Sequence, residues 1–88
     1  MKKIFILVTM SCCGDSQSFG VVSIHNDIES ARNALVTHFN AGRRAFISDY
    51  GEENVYTEMG TLHANVEKSD DTLHYNVKYL IESERVED

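Results

Sequence analysis

The chain has 88 residues, of which 42% are apolar and 25% are charged, and its net charge is −6. This length provides one hydrophobic core, and the composition is typical of a folded soluble chain, so we expect a single domain over residues 1–88. Proteins bind nucleic-acid phosphates through Lys and Arg, so an acidic chain is not expected to bind DNA or RNA directly. No apolar run is long enough to span a membrane, so we expect no membrane partner.

The acidic residues are concentrated in the second half of the chain. Residues 1–48 contain five basic and three acidic side chains, whereas residues 49–88 contain three basic and eleven acidic ones, a net −8. Two carboxylate pairs, Glu52-Glu53 and Asp70-Asp71, belong to this half and are the candidate partner-binding residues. A negative surface favours a basic protein partner, although a charge run is also typical of a surface that serves only solubility.

The first segment is predicted to be a strand. Lys2-Lys3, the apolar run Ile4–Met10 and Cys12 have the order of a short signal peptide, but seven apolar residues are at the lower limit for one. The run is β-branched or aromatic almost throughout and apolar on both faces, which predicts a strand over Lys3–Ser11 in the interior of a sheet.

A hairpin and then a helix are predicted next. The small polar residues Ser11–Ser18 predict a loop of about eight residues, and Phe19–His25 predicts the second strand. Asn26-Asp27-Ile28-Glu29 has the form of a capping box, with Asn26 as the N-cap. The spacing of the apolar residues that follow predicts one helix from Asp27 to Tyr50, with a break at Gly42 as the alternative. Those residues are Ile28, Ala31, Leu35, Phe39, Gly42 and Phe46.

The last third of the chain alternates between apolar and polar residues, which predicts a second hairpin. A turn centred on Ser69-Asp70 would place Val66 opposite Leu73 and Ala64 opposite Tyr75, with Leu62 opposite Val77. All the apolar side chains would then share one face of the sheet. The alternation is lost over residues 82–88, so this tail is predicted to fray or to lie at an edge.

Together these elements predict an α+β fold of ββαββ order, in which one helix covers one face of a mainly antiparallel four-stranded sheet. Ile4, Ile6 and Val8 alternate with Phe5 and Leu7, so both faces of the first strand are apolar and the helix can cover only one. A second copy of the chain would cover the other face, and we therefore predict a homodimer.

Few residues are candidates for chemistry. In the predicted register His63 and His74 lie on a diagonal of the outer face, close enough to share a metal ion with Asn65 or Glu67, although solvent-exposed histidines are the ordinary alternative. Cys12-Cys13 are adjacent, lack CxxC spacing and are expected to be reduced in the cytoplasm. No phosphate loop, HExxH motif or nucleophile elbow occurs, so no catalytic residue or cofactor is assigned.

The pattern as a whole resembles small uncharacterised ββαββ proteins of bacteria and their phages. The resemblance rests on a helix that begins with Asp27-Ile28-Glu29-Ser30-Ala31 and on a closing strand rich in Tyr, Val, Ile and Glu, and it implies a small accessory protein without a known activity. Our first hypothesis is a non-enzymatic interaction protein, such as a regulator or inhibitor of a basic partner. The alternatives are a small-ligand or metal binder using His63 and His74, and an enzyme whose site forms at a dimer interface.

Overall fold

The computed structural model describes residues 2–68 and 75–86. Within these residues the elements are, in chain order, β1 (Lys2–Cys13), β2 (Ser16–His25), α1 (Ile28–Tyr50), a 3₁₀ helix (Glu52–Asn54), β3 (Val55–Met59), β4 (His63–Lys68) and β5 (Tyr75–Val86). The five strands form one antiparallel sheet of order β2-β1-β5-β4-β3, and α1 packs on one of its faces. The predicted four-stranded sheet is therefore wrong, because the chain forms ββαβββ with strands dominant.

The strand that sequence reasoning missed is β3. Its partner among the described strands is β4, from Val55 opposite Lys68 to Met59 opposite Ala64. The run begins with Val55, Tyr56 and Thr57, which are good strand formers, but at five residues it is too short to show a clear alternation. Pairing with β4 supplies the backbone hydrogen bonds that make so short a strand stable.

The predicted eight-residue loop after β1 is also wrong. β1 and β2 continue to a two-residue turn at Gly14-Asp15, where Gly14 has a φ of 60°, the conformation that favours glycine in a tight hairpin. β1 is an interior strand, as predicted, and pairs with β5 along its whole length, from Lys2 opposite Val86 to Cys13 opposite Tyr75. In Ser11 to Cys13 of β1, the backbone N–H and C=O groups form hydrogen bonds with β2 on one side and β5 on the other. This pairing overrides the preference of small polar residues for a loop.

The predicted register between β4 and β5 is wrong by four residues. Val66 lies opposite Val77 instead of Leu73, and Ala64 lies opposite Tyr79 instead of Tyr75. Because the shift is even, each side chain keeps the face that the alternation predicted. The predicted turn centre, Ser69-Asp70, lies outside the described residues.

The end of the chain continues the sheet. β5 extends to Val86 and pairs with β1 over its whole length, whereas β4 pairs with it only as far as Leu80. Of the predicted alternatives for this segment, fraying is therefore wrong, and residues 82–86 have a described strand partner on one side, as an edge segment does. Its last residues pair with the first residues of β1, with Glu84 opposite Ile4 and Arg85 opposite Lys3. Pairing with an interior strand therefore holds a segment whose own side chains do not alternate.

The helix agrees with its prediction apart from the identity of its cap. α1 is continuous through Gly42 and ends at Gly51, which has a φ of 88° and donates its N–H to the carbonyl of Ile47 at 2.9 Å. The N-cap is Asp27 and not Asn26, because the Asp27 carboxylate accepts the backbone N–H of Ser30 at 2.7 Å. A carboxylate at this position satisfies a free amide and also favours the positive end of the helix.

One face of α1 packs on one face of the sheet and forms the core. The ring of Phe46 is edge-on to Tyr75, with centroids 4.9 Å apart, and to Tyr50 at 5.7 Å. α1 passes so close to β5 at Gly42 that a Cβ atom there would lie 2.5 Å from the Tyr79 hydroxyl oxygen. The buried core residues are Leu7, Ala31, Leu35, Phe39, Phe46, Ala64, Val66, Tyr79 and Ile81.

Candidate interaction surface

The face of the sheet opposite α1 is covered by no element among residues 2–68 and 75–86, and we call it the helix-free face. Side chains alternate along β1, so Leu7 points to α1 and Val8 to the helix-free face. Residues paired directly across strands share a face, which places Val21 and Leu80 beside Val8. The same rule assigns all the other residues of the strands to one of the two faces of the sheet.

One half of the helix-free face is apolar. Phe19, Val21 and Ile24 on β2 are 66%, 59% and 63% exposed, and they lie opposite Met10, Val8 and Ile6 of β1. We call this region the apolar half. It consists of Ile4, Ile6, Val8 and Met10 on β1, Phe19, Val21 and Ile24 on β2, and Leu80 on β5.

Carboxylates border the apolar half on the side of β5, β4 and β3. Glu82 and Glu84 lie opposite Ile6 and Ile4, and Glu67 and Glu58 follow on β4 and β3. We call these four residues the acidic border. Lys2 and Lys78 are the lysines on the same face, so carboxylates outnumber lysines there by four to two. The face therefore combines exposed apolar side chains with a net negative charge.

A shallow depression lies at the hairpin end of the helix-free face. It has a volume of about 450 Å³ and is lined by Met10, Ser11, Cys12, Gln17, Ser18, Phe19, Asn76 and Lys78. Asn76 is only 8% exposed and donates its amide N–H to Asn65 Oδ1 at 3.1 Å. The depression has an apolar wall at Met10 and Phe19 and a polar wall at Asn76 and Lys78, so it suits a side chain with both kinds of group.

The predicted acidic pair that the structure describes, Glu52-Glu53, does not belong to the acidic border. Glu52 and Glu53 are exposed on the 3₁₀ helix that follows α1, and Glu52 Oε1 lies 3.7 Å from Arg43 Nη2. Asp70 and Asp71 lie outside the described residues. Sequence reasoning missed Glu82 and Glu84 because it treated residues 82–88 as a tail. Continuing the alternation of β5 by two more pairs of residues would have placed both on the helix-free face.

The predicted histidine pair depends on a register that does not form. His63 lies opposite Leu80, and Asn65 lies opposite Lys78 and not opposite position 74. His74 itself lies outside the described residues. The exposed His63 Nε2 has Glu58 Oε1 at 3.6 Å. Within the part of the chain that the structure describes, no three His, Cys, Asp or Glu side chains are grouped so that they could hold a metal ion.

The two cysteines and His25 lie at structural positions on the strands. Cys12 and Cys13 are both free, and as neighbours in a strand they point to opposite faces, with Cys13 opposite Tyr75. His25 connects β2 to α1, since its Nε2 is 2.6 Å from the Ser23 hydroxyl and its Nδ1 is 2.7 Å from the Ser30 hydroxyl.

The described residue whose pKa is clearly shifted is in the core. Burial raises the pKa of the Tyr79 hydroxyl, and the neighbouring Tyr75 adds to the effect. Tyr79 lies under Gly42 of α1, on the opposite side of the sheet from the apolar half. A raised tyrosine pKa in the core affects stability at high pH and provides no acid or base on the helix-free face.

Comparisons with protein-family models, with curated proteins and with solved structures found no match to this chain. Among the described residues, no helix has the length and apolar character needed to cross a membrane.

Proposed function

We propose that this chain is a non-enzymatic accessory protein that binds a basic protein partner through its helix-free face. The observation that supports the proposal is the exposure of Phe19, Val21 and Ile24, three large apolar side chains next to one another on β2. Contiguous apolar patches are rare on soluble domains and usually belong to interaction sites. A cytoplasmic location, in which both cysteines stay reduced, is part of the proposal.

The size of the helix-free face suits a protein partner. Strands about 4.8 Å apart with a rise of about 3.3 Å per residue give the five strands a flat area of roughly 700 Å². A stable protein complex buries about 800 Å² on each partner. A partner that covered most of this face would therefore form an interface of ordinary size.

The charge of the face indicates the character of the partner. Glu58, Glu67, Glu82 and Glu84 border the apolar half, so a partner with an apolar centre and a rim of Lys or Arg complements it. An anchoring side chain of that partner would enter the depression between Phe19 and Lys78. Binding of this kind is what a regulator or inhibitor of a basic protein requires.

Selection from a displayed random peptide library tests the proposal without a known partner. We expect the wild-type chain to enrich peptides that combine apolar residues with Lys or Arg. Val21→Lys should weaken their binding at least tenfold, because it places a charge in the centre of the apolar half. Val36→Lys is the matched control, since Val36 is 43% exposed on α1 and the same change there should leave binding intact.

Charge reversal separates the two parts of the proposal. Glu82→Lys combined with Glu84→Lys should weaken the binding of the basic peptides. The difference in affinity from wild type should become smaller as salt is added. Glu52→Lys combined with Glu53→Lys makes the same change in charge away from the apolar half and should have little effect. Enriched peptides without basic residues, or peptides that bind Val21→Lys as well as wild type, would show that the proposal is wrong.

A further inference from the structure

The two edges of the sheet differ in their protection against pairing with another chain. Among the residues that the structure describes, β2 and β3 are the outer strands, each paired on one side only. β3 has five residues and includes Glu58. β2 has ten residues without Lys, Arg, Asp, Glu or Pro, and its single His is the last residue. Natural edge strands are usually short, charged, bulged or interrupted by proline. The part of β2 before its bulge at Val22, Ser16–Val21, has no charge, bulge or proline and is an unprotected edge.

We propose that β2 pairs in antiparallel fashion with β2 of a second copy of this chain, which joins the two sheets into one of ten strands. Two identical strands that pair in antiparallel fashion are related by a twofold axis, so each copy contributes the same surface to the interface. The unpaired N–H and C=O groups of each edge then find partners. No charge of one β2 meets a like charge of the other, because the strand carries none.

The stretch available for pairing is Ser16–Val21. The register between β1 and β2 shifts between Leu7 and Val8, so Val22 is an extra residue in β2 and bends the strand there. Ser16–Val21 lies before this bulge and pairs regularly with β1, from Cys13 opposite Ser16 to Val8 opposite Val21. Directly paired residues share a face, so the twofold axis must pass through a pair of identical residues. An axis at Phe19 places Phe19 opposite its own copy and pairs Gln17–Val21, which lie within this regular stretch.

Charged side chains on the helix-free face disfavour the other possible dimer, in which the helix-free faces of two copies pack together. A twofold axis across the strands would stack each strand on its own copy in the reverse direction, which buries Lys78, Glu82 and Glu84 of β5 in the interface. An axis along the strands through β1 would stack β2 on β5, and Phe19 and Ile24 would then cover Lys78 and Glu82. Both arrangements take charged side chains of β5 out of water, which is costly.

Pairing at the edge leaves the helix-free face accessible. It also brings the Phe19 side chains of the two copies side by side across the axis, where apolar cross-strand neighbours stabilise a sheet. The two apolar halves then form one surface of double width. The use of that surface for a partner rests on the proposed function, but the dimer itself does not.

Sedimentation of wild type and four variants tests the edge dimer. Gly20→Lys places a charge in the pairing stretch, and a Cβ at Gly20 meets no atom within 4 Å, so the monomer accommodates it. We expect it to weaken dimerisation at least tenfold. Gly20→Ala, which adds a methyl group without charge, and Thr57→Lys, which charges the β3 edge, should both dimerise as wild type does. Leu80→Lys, in the helix-free face away from β2, should also leave the dimer intact.

Hydrogen exchange of the wild-type chain gives a second readout that needs no variant. Amides within Ser16–Val21 should become more protected as the protein concentration rises from the monomeric to the dimeric range, whereas β3 amides should not. A wild type that stays monomeric at millimolar concentration would overturn the proposal. A dimer that is dissociated by Leu80→Lys but not by Gly20→Lys would also overturn the proposal, because it would show that the two copies bind through their helix-free faces.

Discussion

Leu7 and Val8 are neighbours on β1 and show how the two faces of the sheet differ. Leu7 is fully buried beneath α1, together with Leu35 and Val66. Val8 is also buried, at 2% exposure, but its neighbours on the helix-free face are Val21 and Leu80 of the adjacent strands. Beside Val8, the side chains of Phe19, Val21 and Ile24 on β2 remain exposed. Apolar residues beneath α1 therefore stabilise the fold, whereas the exposed ones of β2 remain available for binding.

Removal of a buried side chain on the helix-covered face should have the largest effect on stability. Leu7→Ala should lower the free energy of unfolding by about 2–5 kcal/mol, through lost apolar burial and the cavity that remains. Val21→Ala, on a side chain that is 59% exposed, should change it by less than about 0.5 kcal/mol. Denaturant unfolding at low protein concentration measures both values. Similar losses for the two variants would contradict the distinction between the faces.

The contact between α1 and β5 predicts the next largest effect. Gly42→Ala should destabilise the chain by about 1–3 kcal/mol because its methyl group would overlap the Tyr79 hydroxyl, 2.5 Å from the Cβ position. Helix propensity alone predicts the opposite, a gain of about 1 kcal/mol. Adding Tyr79→Phe should recover part of the loss by removing the overlapping oxygen. A Gly42→Ala variant more stable than wild type would show that the helix lies further from the sheet.

The cap of α1 predicts a smaller effect. Asp27→Ala should cost about 1 kcal/mol, since it removes the acceptor of the Ser30 N–H and a negative charge at the helix start. Asn26→Ala should be close to neutral, because Asn26 is not the N-cap. Thermal or denaturant unfolding distinguishes the two, and a larger loss for Asn26→Ala would restore the original capping-box prediction.

The pH dependence of the core is the most limited of these effects. Burial holds the pKa of Tyr79 above its ordinary value of 10.0, so the unfolded chain releases this proton at lower pH than the folded chain does. The contribution to stability is therefore complete below pH 10 and is lost as the pH rises through the folded pKa. Tyr79→Phe should remove this part of the decline in the free energy of unfolding above pH 10. Denaturant unfolding at a series of alkaline pH values measures it, and the same pH dependence for wild type and Tyr79→Phe would contradict the prediction.

Elements with local signals were predictable from the sequence. The apolar spacing from Ala31 to Phe46 is repeated often enough to specify α1, and Gly51 provides its stop. β1 was also predictable as an interior strand, because its residues are apolar on both faces. The N-cap was displaced by one residue, since Asn26 and Asp27 can both serve and only the direction of the incoming chain selects between them.

Elements that depend on pairing were not predictable. Ser11–Ser18 has the composition of a loop, but β5 pairs with Ser11 to Cys13 and extends the hairpin to Gly14. β3 has too few residues for a periodic signal and acquires its structure from β4. The acidic border was not predictable for the same reason. Its residues come from β3, β4 and β5, and the sequence of a single strand does not specify which strands lie beside it.

Helical and strand periodicities are local properties, so they specify where α1 lies, which residues can be buried and which side chains of β4 and β5 share a face. The pairing partner of each strand depends instead on contacts between segments that are distant in the chain. A four-residue change in register leaves every apolar side chain of β4 on its predicted face, yet it places Leu80 opposite His63, where Asn76 was predicted. Alternation has a period of two and cannot distinguish registers that differ by an even number, so contacts with β1 and α1 make that choice.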